Sequence, residues 1–479
     1  MSSIFLGADI GTTSAKCLAV DSDGAILAIA QHPYGLAHPR QGWAEQDPED
    51  YWRALSAVVR ACVQQIGDAG MSAGDIASLA LSTQGDTLVI YDSSGCAVRP
   101  AISWMDCRAT NLFEKSVSEV GQQFWYAETG HKLTPYRSVC SIWWLAENEP
   151  ETLKAGRIGW VPDYMSLRLT GRCAVDTPSA SWTPLFSPAR RTWSGAVLEQ
   201  LGVREDGLPD VLESGETIAA LLPAAAEELG LSKDVRLVSG AFDQAAAAHG
   251  ASAAPGGRSV LSCGTAWVLY GVSGSPVVDP GLGVSGCCHV RAGEWGMVLP
   301  FSGGTVYDWA RRTLAGEAAK TADSPNEPLI FIPHLYGGLS PDWRQESRGT
   351  IVGLTLSHTP EDIELAVMRG LVFEARRNMD ACEALAGRPE RIRMVGGATH
   401  SAFWPQLAAD ILALPVEVWD CSESACYGAA KLAAGALSDG WTGGAVRVIE
   451  PRPERVEAES ATYERYLRAY ANALDFYSA

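Results

Sequence analysis

The stretch Asp9-Ile10-Gly11-Thr12-Thr13-Ser14-Ala15-Lys16 predicts a polar turn between two short strands, residues 4–8 and 16–20. Gly11 allows close approach of a ligand to the backbone, and the hydroxyl and N–H groups that follow can bind phosphate oxygens. Asp9 could hold Mg²⁺ through water. A plain β-hairpin turn favours the same residue types, so both interpretations stay open at this point.

The same pattern returns in the second half of the chain. Residues 235–239 predict a strand, 240–243 a turn, and 244–249 the start of an alanine-rich helix. The segment Ser262-Cys263-Gly264-Thr265-Ala266 then repeats the strand-into-Gly-Thr pattern, with a returning strand at 267–272. Two α/β halves that meet near residue 240 without a long linker favour a hinge with the active site in the cleft between them.

Other periodic segments complete this prediction. Helices are expected at 49–66, 361–385, 401–412 and 428–435, and further strands at 25–30, 76–82, 87–91 and 391–395. The last of these strands runs into Gly396-Gly397, which could let an adenine ring lie against bare backbone.

Asp243 is the candidate catalytic group. It lies in Gly240-Ala241-Phe242-Asp243-Gln244, where a predicted strand gives way to a helix, so its carboxylate should point to the cleft end of the sheet. The helix N-terminus stabilises the charged form of such a carboxylate. An Asp at this position would also serve as an ordinary helix N-cap, and position alone favours that structural role.

Composition narrows the class of protein. The 479 residues suit two large domains, and 47% hydrophobic with 19% charged residues is typical of a folded chain. A net charge of −19 argues against nucleic-acid binding. The N-terminus does not resemble a signal peptide, and no apolar run would span a bilayer, so no membrane association is expected. Twelve scattered cysteines without a C-x-x-C pair predict buried thiols in the reducing cytoplasm.

Several further segments, in this order, resemble the FGGY family of carbohydrate kinases within the actin-like ATPase superfamily. They are Trp43-Ala44-Glu45-Gln46-Asp47-Pro48, Pro100-Ala101-Ile102-Ser103-Trp104-Met105-Asp106-Cys107-Arg108, Pro162-Asp163-Tyr164 with Leu169-Thr170-Gly171, and two longer signatures that begin at Tyr136 and Gly349. The signatures depart from the family at Ser141, where a Lys is usual, and at Arg369, where an acid is usual.

The resemblance covers nearly the whole chain. It implies an α/β fold of two actin-like (ribonuclease H-like) ATPase domains with a cleft between them, residues 1–242 and 243–479. The first domain would carry the sugar site and the first phosphate loop, and the second domain the remaining ATP loops. The implied activity is ATP-dependent phosphorylation of a small sugar hydroxyl with Mg²⁺, and a homodimer is compatible with it.

Site residues follow from the same resemblance. Asp243 is expected to be the catalytic base, and Asp9 and Asp243 to lie at the metal. The residues expected to bind ATP are Thr12, Thr13, Lys16, Gly264, Thr265, Gly396 and Gly397, and those expected to contact the substrate are Gln84, Gly85, Asp86, Trp104, Tyr136, Asp243 and Gln244. Trp267 is a further candidate for the substrate side, although core packing would explain Trp104 and Trp267 equally well.

The substrate is predicted from the loop Thr83-Gln84-Gly85-Asp86-Thr87. Xylulose kinases share the Gln but carry M-H where this chain has Gly85-Asp86, and glycerol kinases carry R-E there. Asp86 can accept hydrogen bonds from two vicinal hydroxyls. A ketopentose such as xylulose is the favoured substrate. The lid motif S-G-E-R-x-P of xylulose kinases reads Tyr336-Gly337-Gly338-Leu339-Ser340-Pro341 here, however, so an erythritol- or glycerol-type polyol stays open.

Two other classes of protein fit the sequence less well than a kinase does. A non-catalytic actin-like nucleotide-binding protein would not need Asp243 beside Gln244, nor an acid in the substrate loop. A dehydrogenase would need G-x-G-x-x-G after the first strand, and that motif is missing there.

Overall fold

The structure is a computed structural model, and it describes residues 3–315, 326–421 and 423–478. Residues 4–242 contain the strands β1 Ile4–Ile10, β2 Ser14–Val20, β3 Ile26–Pro33, β4 Glu45–Gln46, β5 Ile76–Thr83, β6 Leu88–Tyr91, β7 Ala101–Ile102, β8 Arg157–Trp160, β9 Ala174–Asp176, β10 Phe186–Ser187, β11 Thr192–Trp193, β12 Asp210–Leu212, β13 Thr217–Ala220 and β14 Arg236–Phe242. The helices of this half are α1 Pro48–Asp68, α2 Thr110–Glu119, α3 Gln122–Thr129, α4 Ser138–Asn148, α5 Pro150–Ala155, α6 Val161–Thr170, α7 Thr177–Trp182, α8 Gly195–Leu201 and α9 Pro223–Leu229.

The second half begins with helix α10, Asp243–Gly250. Its strands are β15 Arg258–Cys263, β16 Trp267–Ser273, β17 Ser285–Cys288, β18 Trp295–Phe301, β19 Ile330–Ile332, β20 Thr350–Val352, β21 Arg391–Val395, β22 Val416–Trp419 and β23 Val446–Ile449. Its other helices are α11 Gly304–Ala310, α12 Pro360–Ala386, α13 Phe403–Leu412, α14 Ser424–Ala434 and α15 Pro453–Ser478.

The two large sheets repeat one topology. The first has the strand order β3-β2-β1-β5-β14-β13, and the second has β18-β16-β15-β21-β22-β23 with β17 added beyond β18. In each, three antiparallel strands are followed by two parallel strands and an antiparallel edge strand. The internal repeat predicted from the two Gly-Thr turns is therefore confirmed in the strand pairing.

The predicted helices and strands are all present, with shifted ends. The clearest error concerns the segment 240–243, for which the sequence predicts a turn. β14 instead continues to Phe242, with an irregularity in its pairing between Val238 and Ala241. A Cβ on Gly240 would lie 1.7 Å from the carbonyl oxygen of Leu81, so glycine is needed for close strand contact and not for a turn.

Small residues allow α14 to pack closely on α10 and on the first sheet. α10 and α14 pack against each other, and α14 also packs against β1 of the first sheet. A Cβ on Gly7 would lie 1.9 Å from the carbonyl oxygen of Cys426, and one on Gly428 would lie 1.8 Å from that of Ala246. These distances are far below van der Waals contact, so the interface depends on the missing side chains.

Gly428→Ala is therefore expected to lower the free energy of unfolding by about 2 kcal/mol, the usual cost of overpacking. Gly67→Ala is the matched control, because Gly67 is also helical and no atom lies within 4 Å of the position that a Cβ would take there. That control should be neutral or stabilising by up to about 1 kcal/mol. Urea unfolding of both variants measures the difference, and equal stability would contradict close packing at Gly428.

A smaller unit is formed mainly by the segment that follows β5. It contains the sheet β4-β7-β6-β8 and a separate apolar core that includes Trp125, Trp160 and Trp193. This unit supplies Trp104 and Tyr136.

All twelve cysteines are free thiols, nine of them buried, and Cys96 is exposed. In the described part of the chain, no helix is long and apolar enough to cross a bilayer.

Candidate active site

Three parallel strands bring the predicted acidic residues to one edge of the first sheet. β5 lies between β1 and β14, with Asp9 opposite Ser82 and Phe242 opposite Thr83. Because parallel strands end at the same sheet edge, Asp9, the loop after β5 and Asp243 are neighbours there.

Asp243 is the first residue of α10. Its Oδ1 accepts a hydrogen bond of 2.7 Å from the backbone N–H of Gln244. The N-cap position belongs to Phe242, so the interpretation of Asp243 as an ordinary N-cap is wrong. Burial raises the pKa of Asp243 to about 6, although the hydrogen bonds from Gln244 act to lower it. A carboxylate whose pKa is raised is a stronger base than an ordinary Asp, which suits proton acceptance.

Asp9 lies at the end of β1 and is partly buried. Ser82 Oγ donates a hydrogen bond of 2.6 Å to its Oδ1. Burial, and then the negative charge of Asp243, raise the pKa of Asp9 to about 7, although Ser82 and Lys16 act in the opposite direction. Two buried carboxylates whose charges repel each other fit a divalent cation, and Mg²⁺ is usually held by one or two carboxylates plus phosphate oxygens.

The first Gly-Thr turn is held in place by its neighbours. Trp104 Nε1 donates a hydrogen bond of 2.9 Å to Thr12 Oγ1, and Gln46 Nε2 donates one of 2.7 Å to the Thr12 carbonyl oxygen. Thr13 is exposed. Trp104 is itself 41% exposed, so the core-packing explanation of this side chain is wrong.

Lys16 does not lie free in this turn. Its Nζ forms an ion pair of 2.7 Å with Glu423, which comes from the second half of the chain. Sequence reasoning missed Glu423, and no local pattern marks it. The pair links the two halves beside Asp9, and any phosphate contact by Lys16 has to compete with this carboxylate.

Gln84 connects the first turn to the predicted substrate loop. Its side chain is buried; Gln84 Nε2 donates to Gln46 Oε1 at 3.1 Å, and Thr87 Oγ1 donates to Gln84 Oε1 at 3.1 Å. The backbone N–H of Gln84 bonds to the carbonyl oxygen of Ile10. With its side chain engaged in this way, Gln84 is placed to fix the loop geometry.

Asp86 is buried and adopts φ +60°, a strained value for a residue with a side chain. Ser138 donates hydrogen bonds to both of its carboxylate oxygens, from the hydroxyl to Oδ1 and from the backbone N–H to Oδ2 at 3.2 Å. Arg137 Nη1 lies 3.5 Å from Oδ2. Arg137, which follows the half-buried Tyr136 in the chain, therefore supplies a cation beside Asp86.

Arg137 was missed by sequence reasoning, which selected Tyr136. It is 7% exposed, its guanidinium lies 4.7 Å from the centroid of the Trp182 ring, and it donates to the Trp182 carbonyl oxygen at 3.1 Å. A Cβ on Gly85 would lie 2.3 Å from the Trp182 ring. Trp182 in turn stacks on Phe242, next to Asp243, so one aromatic wall runs from Gly85 to the candidate base.

A cavity of about 600 Å³ lies in the second half of the chain. It contains Gly264, Thr265 and Gly397 of the predicted ATP loops, with Gly304, Tyr307 and Trp404 among its other lining residues. Gly396 has φ +92°, and a Cβ there would lie 2.8 Å from the Cys263 carbonyl oxygen, so the two loops touch. Trp267 is 2% exposed and packs on Trp404, which places most of its ring in the core.

Comparison with protein-family models gives two matches. The N-terminal domain of the FGGY family of carbohydrate kinases matches residues 4–250, and its C-terminal domain matches residues 260–437. The chain belongs to the FGGY family of carbohydrate kinases. It is accordingly a sugar or polyol kinase with the two-domain, actin-like α/β fold, and membership of this family implies the use of ATP.

Both xylulose kinases and glycerol kinases are among the relatives of this chain. The chain is 29% identical to the xylulose kinase of Escherichia coli over 418 residues, which cover 85% of this chain and 84% of that protein. It is 30% identical to the glycerol kinase of Thermococcus onnurineus over 463 residues, covering 92% and 91%. The solved xylulose kinase of Lactobacillus acidophilus superposes with a TM-score of 0.91 at 25% identity, covering 99% and 98%.

One departure from the family signatures has a visible partner. Arg369, which replaces an acid, forms an ion pair of 2.7 Å with Glu459 of α15. It thus anchors the C-terminal helix and lies outside the ATP cavity.

Proposed function

We propose that this kinase transfers the γ-phosphoryl group of ATP to a hydroxyl of a ketopentose such as xylulose, with Asp243 as the base. The observation that carries the proposal is the shared sheet edge, where Asp243, Asp9 and the Gln84–Asp86 loop lie side by side. The substrate oxygen would form a bond to the γ-phosphorus as the bond to the leaving β-phosphate oxygen breaks. The substrate proton passes to the Asp243 carboxylate, and positioning contributes more than early proton removal.

Asp9 and Asp243 would hold Mg²⁺. Bound there, the ion would neutralise phosphate charge as it develops during transfer. The first turn, with Thr12, Thr13 and Lys16, and the second, with Gly264 and Thr265, would contact the phosphates from opposite sides of the cleft. Gly396 and Gly397 would lie against the adenosine, where the cavity walls are formed partly by Tyr307 and Trp404.

Chelation of Mg²⁺ is expected to stop phosphoryl transfer. Lys16, the cation of the first turn, is already paired with Glu423, so little positive charge remains there for the phosphates. ADP release is measured before and after addition of EDTA, and again after Mg²⁺ is restored. Full turnover in the presence of EDTA would contradict a metal at Asp9 and Asp243.

The proposal of a ketopentose is supported by Gln84, which this chain shares with xylulose kinases. Trp182 fills the space that a side chain at residue 85 would need, so this chain has room neither for the Arg that glycerol kinases carry there nor for the Met of xylulose kinases. Gln84, Asp86, Trp104, Tyr136 and Gln244 would surround the sugar. Several relatives are xylulose kinases, which agrees with this assignment.

A polyol is the second candidate, and a specific contact favours it. Arg137 places a guanidinium beside Asp86, which restores an Arg–acid pair from a different position in the chain. Steady-state kinetics with D-xylulose, erythritol and glycerol at saturating Mg²⁺-ATP distinguish the two. A kcat/KM highest for xylulose supports the ketopentose, and one highest for erythritol or glycerol overturns it in favour of the polyol.

The pH dependence tests the role of Asp86. Burial raises its pKa to about 6, while Arg137 and Ser138 act to lower it. The carboxylate form that accepts hydroxyls is present above that pH and is lost below it, so kcat/KM for the sugar should fall below about pH 6. Arg137→Gln removes the opposing positive charge and should move the midpoint to higher pH. Because the pKa of Asp243 is also about 6, an unmoved midpoint would assign the fall to Asp243 in place of Asp86.

A further inference from the structure

A cationic cavity of about 510 Å³ is separate from the cavity that contains the predicted ATP loops. Arg258, Arg291, Arg393 and Lys431 line it, with Asp439 as an acidic lining residue. Its volume is within the usual range for small-ligand sites. In a chain whose net charge is −19, such a concentration of cations calls for a physical explanation.

The arginines of this cavity have too few carboxylate partners. Arg258 and Arg393 share the single carboxylate of Glu417, and Arg391 outside the cavity binds the same group at 3.1 Å. Burial acts to raise the pKa of Glu417, but the guanidiniums of Arg258 and Arg393 lower it to about 2. Arg291 is half-exposed at the cavity mouth, 3.9 Å from Glu294. Four cations line the cavity, and the carboxylates near them are Glu417, Glu294 and Asp439, so an excess of positive charge remains.

Lys431 is the least satisfied cation. It is 6% exposed, and its Nζ has two neutral oxygen neighbours at long distances, the His249 carbonyl oxygen at 3.4 Å and Ser252 Oγ at 3.3 Å. Within residues 3–315, 326–421 and 423–478, no carboxylate lies within ion-pair distance of it. Burial, followed by the charges of Arg291 and Arg393, lowers its pKa to about 8.

We infer that this cavity is a binding site for a small phosphate-bearing anion, separate from the nucleotide and sugar sites. Planar guanidiniums and an ammonium that line one cavity are the groups with which proteins bind phosphate. The anion would provide the negative charge that Lys431 and the arginines lack. A free phosphate and the phosphate of a metabolite share this chemistry, and the cavity has room for the larger ligand.

The cationic cavity lies at one end of β15 and of α10. The opposite ends of these two elements carry the predicted ATP loop at Gly264 and the candidate base Asp243. β15 begins at Arg258 and ends at Cys263, next to Gly264, which is about 20 Å away along the strand. α10 begins at Asp243 and ends beside Ser252. Ser214 and Gly215, from the first half of the chain, also line the cavity, so the anion would contact both halves.

Binding is tested by titrating the intact kinase with inorganic phosphate and with 3-phosphoglycerate, using isothermal titration calorimetry. A non-hydrolysable ATP analogue with Mg²⁺ fills the nucleotide site throughout, so that phosphate binding there does not contribute. Saturable binding is expected for the wild type, and tighter binding of 3-phosphoglycerate than of phosphate would identify a metabolite-sized ligand. Lack of saturable binding by either probe up to about 10 mM, a concentration at which only very weak binding would be missed, would overturn the proposal.

Lys431→Gln keeps the chain length and removes the charge, and should weaken binding about tenfold or more. Lys154→Gln is the matched control, because Lys154 is exposed and pairs with Glu151 far from the cavity. Arg291→Gln at the mouth provides a second variant that does not disturb the core, so the test survives if Lys431→Gln fails to fold. Unchanged affinity in the soluble variants would also overturn the assignment, since the anion would then bind elsewhere.

Discussion

Asp243→Asn is expected to lower kcat by about 10²–10⁴-fold, the usual contribution of a positioned general base. Asparagine preserves the shape of the side chain and can still meet the backbone N–H of Gln244, so the fold should persist. The amide cannot accept the substrate proton, and it also removes one of the two carboxylates proposed to hold Mg²⁺. Steady-state kinetics and nucleotide binding by calorimetry measure the two consequences separately.

The matched control for this variant is Asp234→Asn, because Asp234 is an exposed acid in the turn just before β14. Its turnover should equal that of the wild type. Retained turnover in Asp243→Asn would remove Asp243 from the base role. Loss of folding in that variant alone would instead mean that the buried carboxylate has a structural role.

Asp86→Asn is expected to raise the KM for the sugar by about 10–100-fold, while the KM for ATP stays the same. Loss of a charge-assisted hydrogen bond to the substrate accounts for the first effect. The second follows because Asp86 lies in the first half of the chain, away from the ATP cavity of the second half. The change also leaves Arg137 buried beside a neutral group, so the free energy of unfolding should fall by several kcal/mol.

Asp86 already accepts hydrogen bonds from Ser138, so a purely structural role has to be distinguished from substrate contact. The double variant Asp86→Asn/Arg137→Gln removes both charges and should recover part of the stability without recovering the KM. Stability and KM that recover together would contradict direct contact between Asp86 and the sugar.

The fold could be predicted largely from local sequence patterns. The two Gly-Thr turns, the strands around them and the long helix α12 are all encoded by nearby residues, and the structure has them within a few positions. Gly240 misled the prediction because glycine serves turns and close strand contacts alike, and only the neighbouring carbonyl oxygen of Leu81 distinguishes them.

The candidate site could be predicted only in part, for a physical reason. Asp9 lies near the end of β1, and Gln84 and Asp243 directly follow β5 and β14 of the same parallel set, so topology brings them together once the strands are recognised. Arg137, Trp182 and Glu423 reach the site from elements distant in sequence, and no local spacing reveals such contacts. The cationic cavity was missed for the same reason, because its residues come from five or more separate segments.

The dependence of ATP turnover on an added sugar decides most directly whether this chain phosphorylates a ketopentose. ADP release is followed in a coupled assay with Mg²⁺-ATP, first without an acceptor and then with ketopentoses, ketohexoses, aldoses and polyols in turn. We expect little ADP without an acceptor and a strong, saturable signal with a ketopentose, accompanied by one equivalent of sugar phosphate. ADP release that is the same with and without every acceptor would contradict the proposal, and would favour an actin-like nucleotide-binding role in place of sugar phosphorylation.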